Sequence, residues 1–183
     1  MNDGLKLLAE GVITHNLALF QGLGIYALLR YTKSICSASK AALVMLATTL
    51  TSCALVWGAS PLMPANYSMR LPFYLMVALA AGLFWRKLLA QMLGKELSLD
   101  LPAVFVNSAL VGVLLTVPEG LAEGPGIVSY GLAYAVGYGL VLIVMAGIRA
   151  RLELVDVPKP FRGVPILLIS AALLALALMG YRL

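Results

Sequence analysis

Long apolar stretches, each closed by a charge, organise the whole chain. Uncharged runs lie between Glu10 and Arg30, Lys40 and Arg70, Arg70 and Arg86, Asp100 and Glu119, Glu123 and Arg149, and Arg162 and Arg182. A charged side chain at the centre of a bilayer costs roughly 2.5–3.5 kcal/mol on insertion scales, so these residues mark helix ends. About 20 apolar residues cross the hydrocarbon core. The pattern therefore predicts an all-α integral membrane protein of six transmembrane helices, over about 8–29, 41–59, 69–93, 101–118, 126–148 and 164–181. Within the longest run, Gly58, Pro61 and Pro64 end the helix before a polar Asn66-Tyr67-Ser68 turn. The third run is short, so Arg70 is expected to snorkel outward and Trp85-Arg86-Lys87 to sit in the interfacial belt.

Composition agrees with the pattern and narrows the function. Of the 183 residues 62% are hydrophobic and 11% charged, with mean hydropathy +0.97, whereas a soluble domain carries roughly a quarter charged residues. An ordinary water-soluble enzyme is excluded, and one transmembrane domain over 1–183 leaves little chain for anything outside the membrane. The net charge of +5 comes from basic residues scattered singly, not from a stripe, so it reads as topology and not as a nucleic-acid surface. Ten of the thirteen basic residues fall in the first, third and fifth loops: Arg30, Lys33, Lys40; Arg86, Lys87, Lys95; Arg149, Arg151, Lys159, Arg162. The other side has Lys6, Arg70 and Arg182, together with acidic Glu119 and Glu123. The positive-inside rule then places both termini outside. The leader MNDGLKLLAE is charge-balanced and no convincing small-x-small cleavage site follows the long first run, which is kept as a span and not as a signal peptide.

Six spans divide into two sets of three, and an odd number inverts the second set relative to the first. Inverted three-helix repeats over about 1–95 and 96–183 are expected. Asn16-Leu17-Ala18-Leu19 in the first helix answers Asn107-Ser108-Ala109-Leu110 in the fourth, and both helices carry breakers, Gly22 and Gly24 in one and Pro102 in the other. Interrupted helices in matching places point to a midplane site, where loosened backbone groups are satisfied by side chains or a ligand. Polar residues inside spans are functional candidates by default. His15, Asn16, Asn107 and Ser108 are therefore the ion-pathway candidates, against interfacial bonding for the first two and interhelical hydrogen bonding for the second two. For Thr48, Thr49, Thr51 and Ser52 the better reading is back-bonding to helix carbonyls.

No metal-site spacing exists within the chain. Cys36 and Cys53 form no CxxC, and His15 is the single histidine. Cys53 reads as a small buried hydrophobe and Cys36 as a free loop thiol. Gly131, Gly137 and Gly139, with Ala133 and Ala135, predict close helix packing. Glu153, Asp156, Lys159 and Arg162 read as a solvated corner fixed by Pro158 and Pro160. No serine–histidine–carboxylate set, phosphate loop or intramembrane carboxylate pair is present, so no catalytic residue is assigned and the chain is not expected to act as an enzyme alone.

The fifth loop IRARLELVDVPKPFRG at 148–163, with NLALFQGLG at 16–24, LATT at 46–49 and LMGY at 178–181, resembles the Rnf/Nqr family of membrane subunits, the RnfA and NqrE types first. The stretch RLPFYLM at 70–76 is similar instead to the partner types RnfE and NqrD. The resemblance implies membership of a Na⁺- or H⁺-translocating electron-transport complex in the bacterial inner membrane. Its implied partners are a homologous inverted six-helix subunit, the other complex subunits and membrane lipid. It also implies broken first and fourth helices and a [2Fe–2S] cluster to which each member of the pair gives two cysteines. Those positions are Tyr26 and Ser108 here. Such a cluster is held by four thiolates, or by two thiolates and two histidines, so no cofactor ligand is expected from this chain. Its expected part is scaffold and ion pathway. The alternatives are a stand-alone small-solute transporter or homodimeric channel, against which the lack of an intramembrane acid counts, and a structural paralogue.

Overall fold

The computed structural model describes residues 11–12, 16–62, 67–93, 107–118, 121 and 124–180. Among them the regular structure is all helical, without a strand: α1 (Leu17–Phe20), α2 (Ile25–Tyr31), α3 (Ile35–Gly58), α4 (Tyr67–Leu93), α5 (Ser108–Thr116), α6 (Gly126–Leu152) and α7 (Val164–Met179). Short 3₁₀ turns lie at Ser60–Leu62 and Lys159–Phe161. Three helical stretches, Ile35–Gly58, Ser68–Leu88 and Gly126–Leu152, are long and apolar enough to cross a membrane, and Val164–Met179 is a shorter apolar helix.

Local chemistry sets the ends. Ser34 is extended and its Oγ accepts the Ser37 N–H at 3.2 Å, so α3 begins at Ile35, ahead of the Lys40 charge from which the sequence pattern starts the second span. A lysine near a helix end keeps its ammonium in water by snorkelling, which is why the charge does not stop the helix. Pro72 falls in the second turn of α4, where it removes one backbone donor and crowds the preceding turn. Arg149 and Arg151 close α6, favourably placed at the negative end of its dipole. Gly163, at φ +88, takes the backbone conformation that L side chains rarely adopt, and this turn launches α7.

The molecule is built around α6, the most buried of the long helices. Its glycines leave room on two faces. A Cβ at Gly131 would collide with Cys53 Sγ, and one at Gly139 would stand 3.1 Å from Ala42 Cβ, so α3 lies directly against this face. A Cβ at Gly137 would run into the Gly11 carbonyl, and one at Gly11 would meet the Ala133 backbone at 2.7 Å, so the entering chain lies against a second face. Close backbone approach of this kind replaces, in lipid, the hydrophobic drive that packs helices in water. Met45, Cys53, Val56, Leu110, Leu114, Leu142 and Met145 fill the core between these helices.

The hydroxyls of α3 are spent locally. Thr48, Thr49, Thr51 and Ser52 each donate to carbonyls three or four residues back, at 2.7–3.0 Å. Thr51 also accepts the indole N–H of Trp85 at 3.1 Å, tying α3 to α4. Trp85 thus finds its hydrogen-bond partner within the helix pair.

Candidate functional site

The two Asn-x-Ala-Leu segments have the same local role. Asn16 is fully buried, and its Oδ1 accepts the Ala18 N–H at 3.1 Å while its Nδ2 donates to the Val12 carbonyl at 3.3 Å. Asn107 is extended (φ −112, ψ 140), and its Oδ1 accepts the Ala109 N–H at 3.3 Å. Each asparagine therefore begins a helical segment and takes one of the first-turn donors that no helix carbonyl reaches. The sequence repeat is thus matched by a repeated cap.

The first helical region is interrupted where the glycines stand. α1 stops at Phe20, Gly22 and Gly24 take φ +66 and +79, and α2 starts at Ile25. Such a break frees backbone groups, and Gly24 has both of its own engaged from elsewhere in the chain. Its N–H donates to Ser108 Oγ at 2.8 Å, and its carbonyl accepts from Tyr138 Oη at 2.9 Å as well as from the Leu28 N–H at 3.1 Å. Tyr138 Oη in turn accepts from Asn107 Nδ2 at 2.9 Å. A Cβ on Gly24 would lie 2.5 Å from Tyr138 Oη, so glycine is required both for the positive φ and for this approach. The break after α1, the start of α5 and the middle of α6 are joined in one polar knot, in which Gly24, Asn107 and Tyr138 are buried and Ser108 is exposed.

Of the residues singled out from sequence, Gly24, Asn107 and Ser108 meet in this knot. Asn16 lies at the start of the adjoining segment and bonds within it. His15 and Pro102 fall outside the described residues. Tyr138 was missed, because a tyrosine in an apolar run reads as part of the run. The available signal was Tyr130, Tyr134 and Tyr138 at four-residue spacing, since a buried phenol needs a partner. Tyr130 obeys the same rule, donating to the Thr116 carbonyl at 2.8 Å, and its ring packs against Tyr134 with centroids 4.4 Å apart.

The two positions at which the resemblance places cluster ligands carry no thiol. Tyr26 is 62% exposed on α2, and the Ser108 oxygen accepts the Gly24 N–H. The cysteines do not substitute for them. Cys36 and Cys53 lie on the one helix α3, 17 positions and thus about 25 Å apart along its axis. Cys53 is buried against Gly131, and Cys36 is exposed at the other end. Among the described residues no group of three or more His, Cys, Asp or Glu side chains converges. Cysteines that far apart on one helix cannot both reach one cluster, so this chain's own thiols do not fit the two-ligand share that the resemblance implies.

At the basic end of α6, Arg149 donates to the Leu29 carbonyl at 3.1 Å, satisfying the last turn of α2, and lies 3.8 Å from Glu153. Arg162 bonds Asp156 Oδ1 and the Val157 carbonyl, each at 2.7 Å. The corner is held by its own charges and by the chain next to it.

Packed apolar helices, one interrupted at its glycines and tied there by a polar knot, define a helical membrane protein. Similarity to known proteins specifies which kind. Residues 4–183 match the family described as Rnf-Nqr subunit, membrane protein. The chain is 35% identical over 188 residues to the RnfA subunit of the ion-translocating oxidoreductase complex of Edwardsiella ictaluri, covering 99% of this chain and 97% of that one. It is 35% identical over 191 residues to the subunit of that name in Shigella flexneri, with the same coverage. The similarity to the corresponding Cereibacter sphaeroides subunit reaches 44% over 96 residues, 51% of this chain and 48% of that one. The chain belongs to the Rnf-Nqr family of membrane subunits.

Proposed function

We propose that this chain is an integral membrane subunit of an ion-translocating oxidoreductase complex, in which it supplies scaffold and ion pathway and no cluster ligand. Six spans as two inverted halves, both termini on the outer side of a bacterial inner membrane, and a homologous inverted partner subunit belong to this reading. Full-length similarity to RnfA chains supports the complex. The knot of Gly24, Asn107, Ser108 and Tyr138 is the observation that carries the chain's own part. Unwound backbone is tolerated at membrane depth where it is buried in protein or lines a cavity. Here the polar groups of Gly24 are held by Ser108 and Tyr138, Tyr138 is held in turn by Asn107, and Asn16 together with His15, a candidate from the sequence, is assigned to the same pathway.

The pathway is tested in the complex isolated gently through a tag on this chain. Asn107→Leu is expected to lower ion translocation per electron transferred while the complex still assembles. Asn107→Ser, which keeps a capping oxygen but loses the donor to Tyr138, is expected to do the same. Unchanged coupling in Asn107→Leu removes the site assignment. Iron, acid-labile sulfide and a reduced-state EPR spectrum test the cofactor part. A cluster that persists when both native cysteines are replaced, but vanishes in Ser108→Ala, would overturn it. Recovery of this chain alone, colourless and without redox subunits, would favour a stand-alone transporter.

A further inference from the structure

Between α6 and α7 the chain turns through Glu153–Gly163 and borders a half-open pocket of about 520 Å³. Leu152, Ile166 and Leu167 make it apolar inside, and Arg149 and Arg162 stand in its wall. The Arg149 side chain is 22% exposed and uses one N–H on the Leu29 carbonyl; Arg162 uses Nε and Nη2 on Val157 and Asp156. A guanidinium carries five N–H donors in a fork that matches phosphate, so both arginines keep donors for a ligand. The acids of the pocket wall pair with these arginines, Asp156 with Arg162 at 2.7 Å and Glu153 at 3.8 Å from Arg149, through side chains that are 96% and 68% exposed. The wall itself is balanced, Arg149 and Arg162 against Glu153 and Asp156, and Lys159 in the same turn leaves the corner one charge positive.

Position decides the class of ligand. The pocket lies where one apolar helix ends and the next begins, which is headgroup level for a membrane protein. Leu154 and Val155, also in its wall, are 87% and 62% exposed, apolar where a loop in water would be polar. Basic pockets between membrane helices at that level bind anionic headgroups. We propose that the α6–α7 corner is a site for an anionic phospholipid, its phosphate held by Arg149 and Arg162 and its acyl chains lying over Leu168 and Leu173 on the exposed face of α7. The proposal does not depend on the ion-pathway role.

Native mass spectrometry of the purified complex, supplied with equal amounts of phosphatidylglycerol and phosphatidylethanolamine, tests it. Wild type is expected to retain the anionic lipid preferentially. Arg162→Gln is expected to lower that retention about tenfold, the equivalent of one charge-assisted hydrogen bond. Arg162→Lys, which keeps the charge, restores most of it, and Arg151→Gln, at the same helix end but outside the pocket wall, leaves it unchanged. Equal retention of both lipids, equal loss in the Arg151 and Arg162 variants, or loss in Arg162→Lys as complete as in Arg162→Gln would overturn the site. Saturable thermal stabilisation by inorganic phosphate that disappears in Arg162→Gln would assign the pocket to a soluble anion and overturn the lipid.

Discussion

A single methyl group decides whether α3 and α6 can meet. Added at Gly131 it collides with Cys53 Sγ and reaches to 3.5 Å from Thr49 Cγ2, deep in the interface; added at Gly147, further along the same helix, it finds nothing within 4 Å. Overpacking of this sort costs about 1–3 kcal/mol, whereas Gly to Ala in an unobstructed helix interior gains roughly 0.5–1 kcal/mol. Gly131→Ala is therefore expected to lower the thermal midpoint in detergent, Gly147→Ala to hold or raise it, and Cys53→Ala to restore much of the Gly131→Ala loss by removing the sulfur. Equal effects of the two glycine substitutions would show that the interface yields elsewhere. The glycines and alanines of this segment announce close packing in the sequence. They do not announce that Gly131 and Gly139 face α3 while Gly137 faces Gly11, because those neighbours come from distant parts of the chain. Cys53 likewise proves to be a packing residue through its contact with Gly131.

Helical elements interrupted in mid-course are stable only if the groups they release find partners. Asn16 and Asn107 were legible in the sequence as a repeated buried amide, and the structure gives them a shared role as caps. Tyr138 was not legible, since its hydroxyl is bound by residues 31 and 114 positions away and nothing local hints at either. Tyr138→Phe leaves the Gly24 carbonyl with its bond from Leu28 but leaves Asn107 Nδ2 buried without an acceptor. An unsatisfied buried donor costs about 1–3 kcal/mol. If the knot is one unit, Asn107→Ser adds little once Tyr138 is Phe, because the donor it removes has already lost its partner. Equilibrium unfolding of the two single variants and the double variant reads this as a coupling energy. Strict additivity would mean that the hydroxyl and the amide act separately and that the breaks are not tied through them.

Across the whole molecule, apolar pattern and charge specify a helical membrane protein, yet only three helical stretches among the described residues have the length and composition of a full crossing. The remainder lies in segments broken by glycine at 22–24, begun by an asparagine cap at 107, or shortened to Val164–Met179. Helix length alone does not report a crossing where the chain is interrupted. The proposed orientation follows from the six-span reading, in which ten of the thirteen basic residues fall in the first, third and fifth loops, and two native cysteines make it measurable. Cys36 is exposed in the first turn of α3, close in sequence to Lys33, while Cys53 is buried against α6. A membrane-impermeant maleimide is expected to leave the protein untouched in intact spheroplasts and to modify one site, Cys36, in inverted vesicles. Cys53 should react only after denaturation, and Cys36→Ser should abolish the signal in native vesicles. Modification of Cys36 from outside would turn the molecule over, place both termini in the cytoplasm, and make this chain an exception to the positive-inside rule.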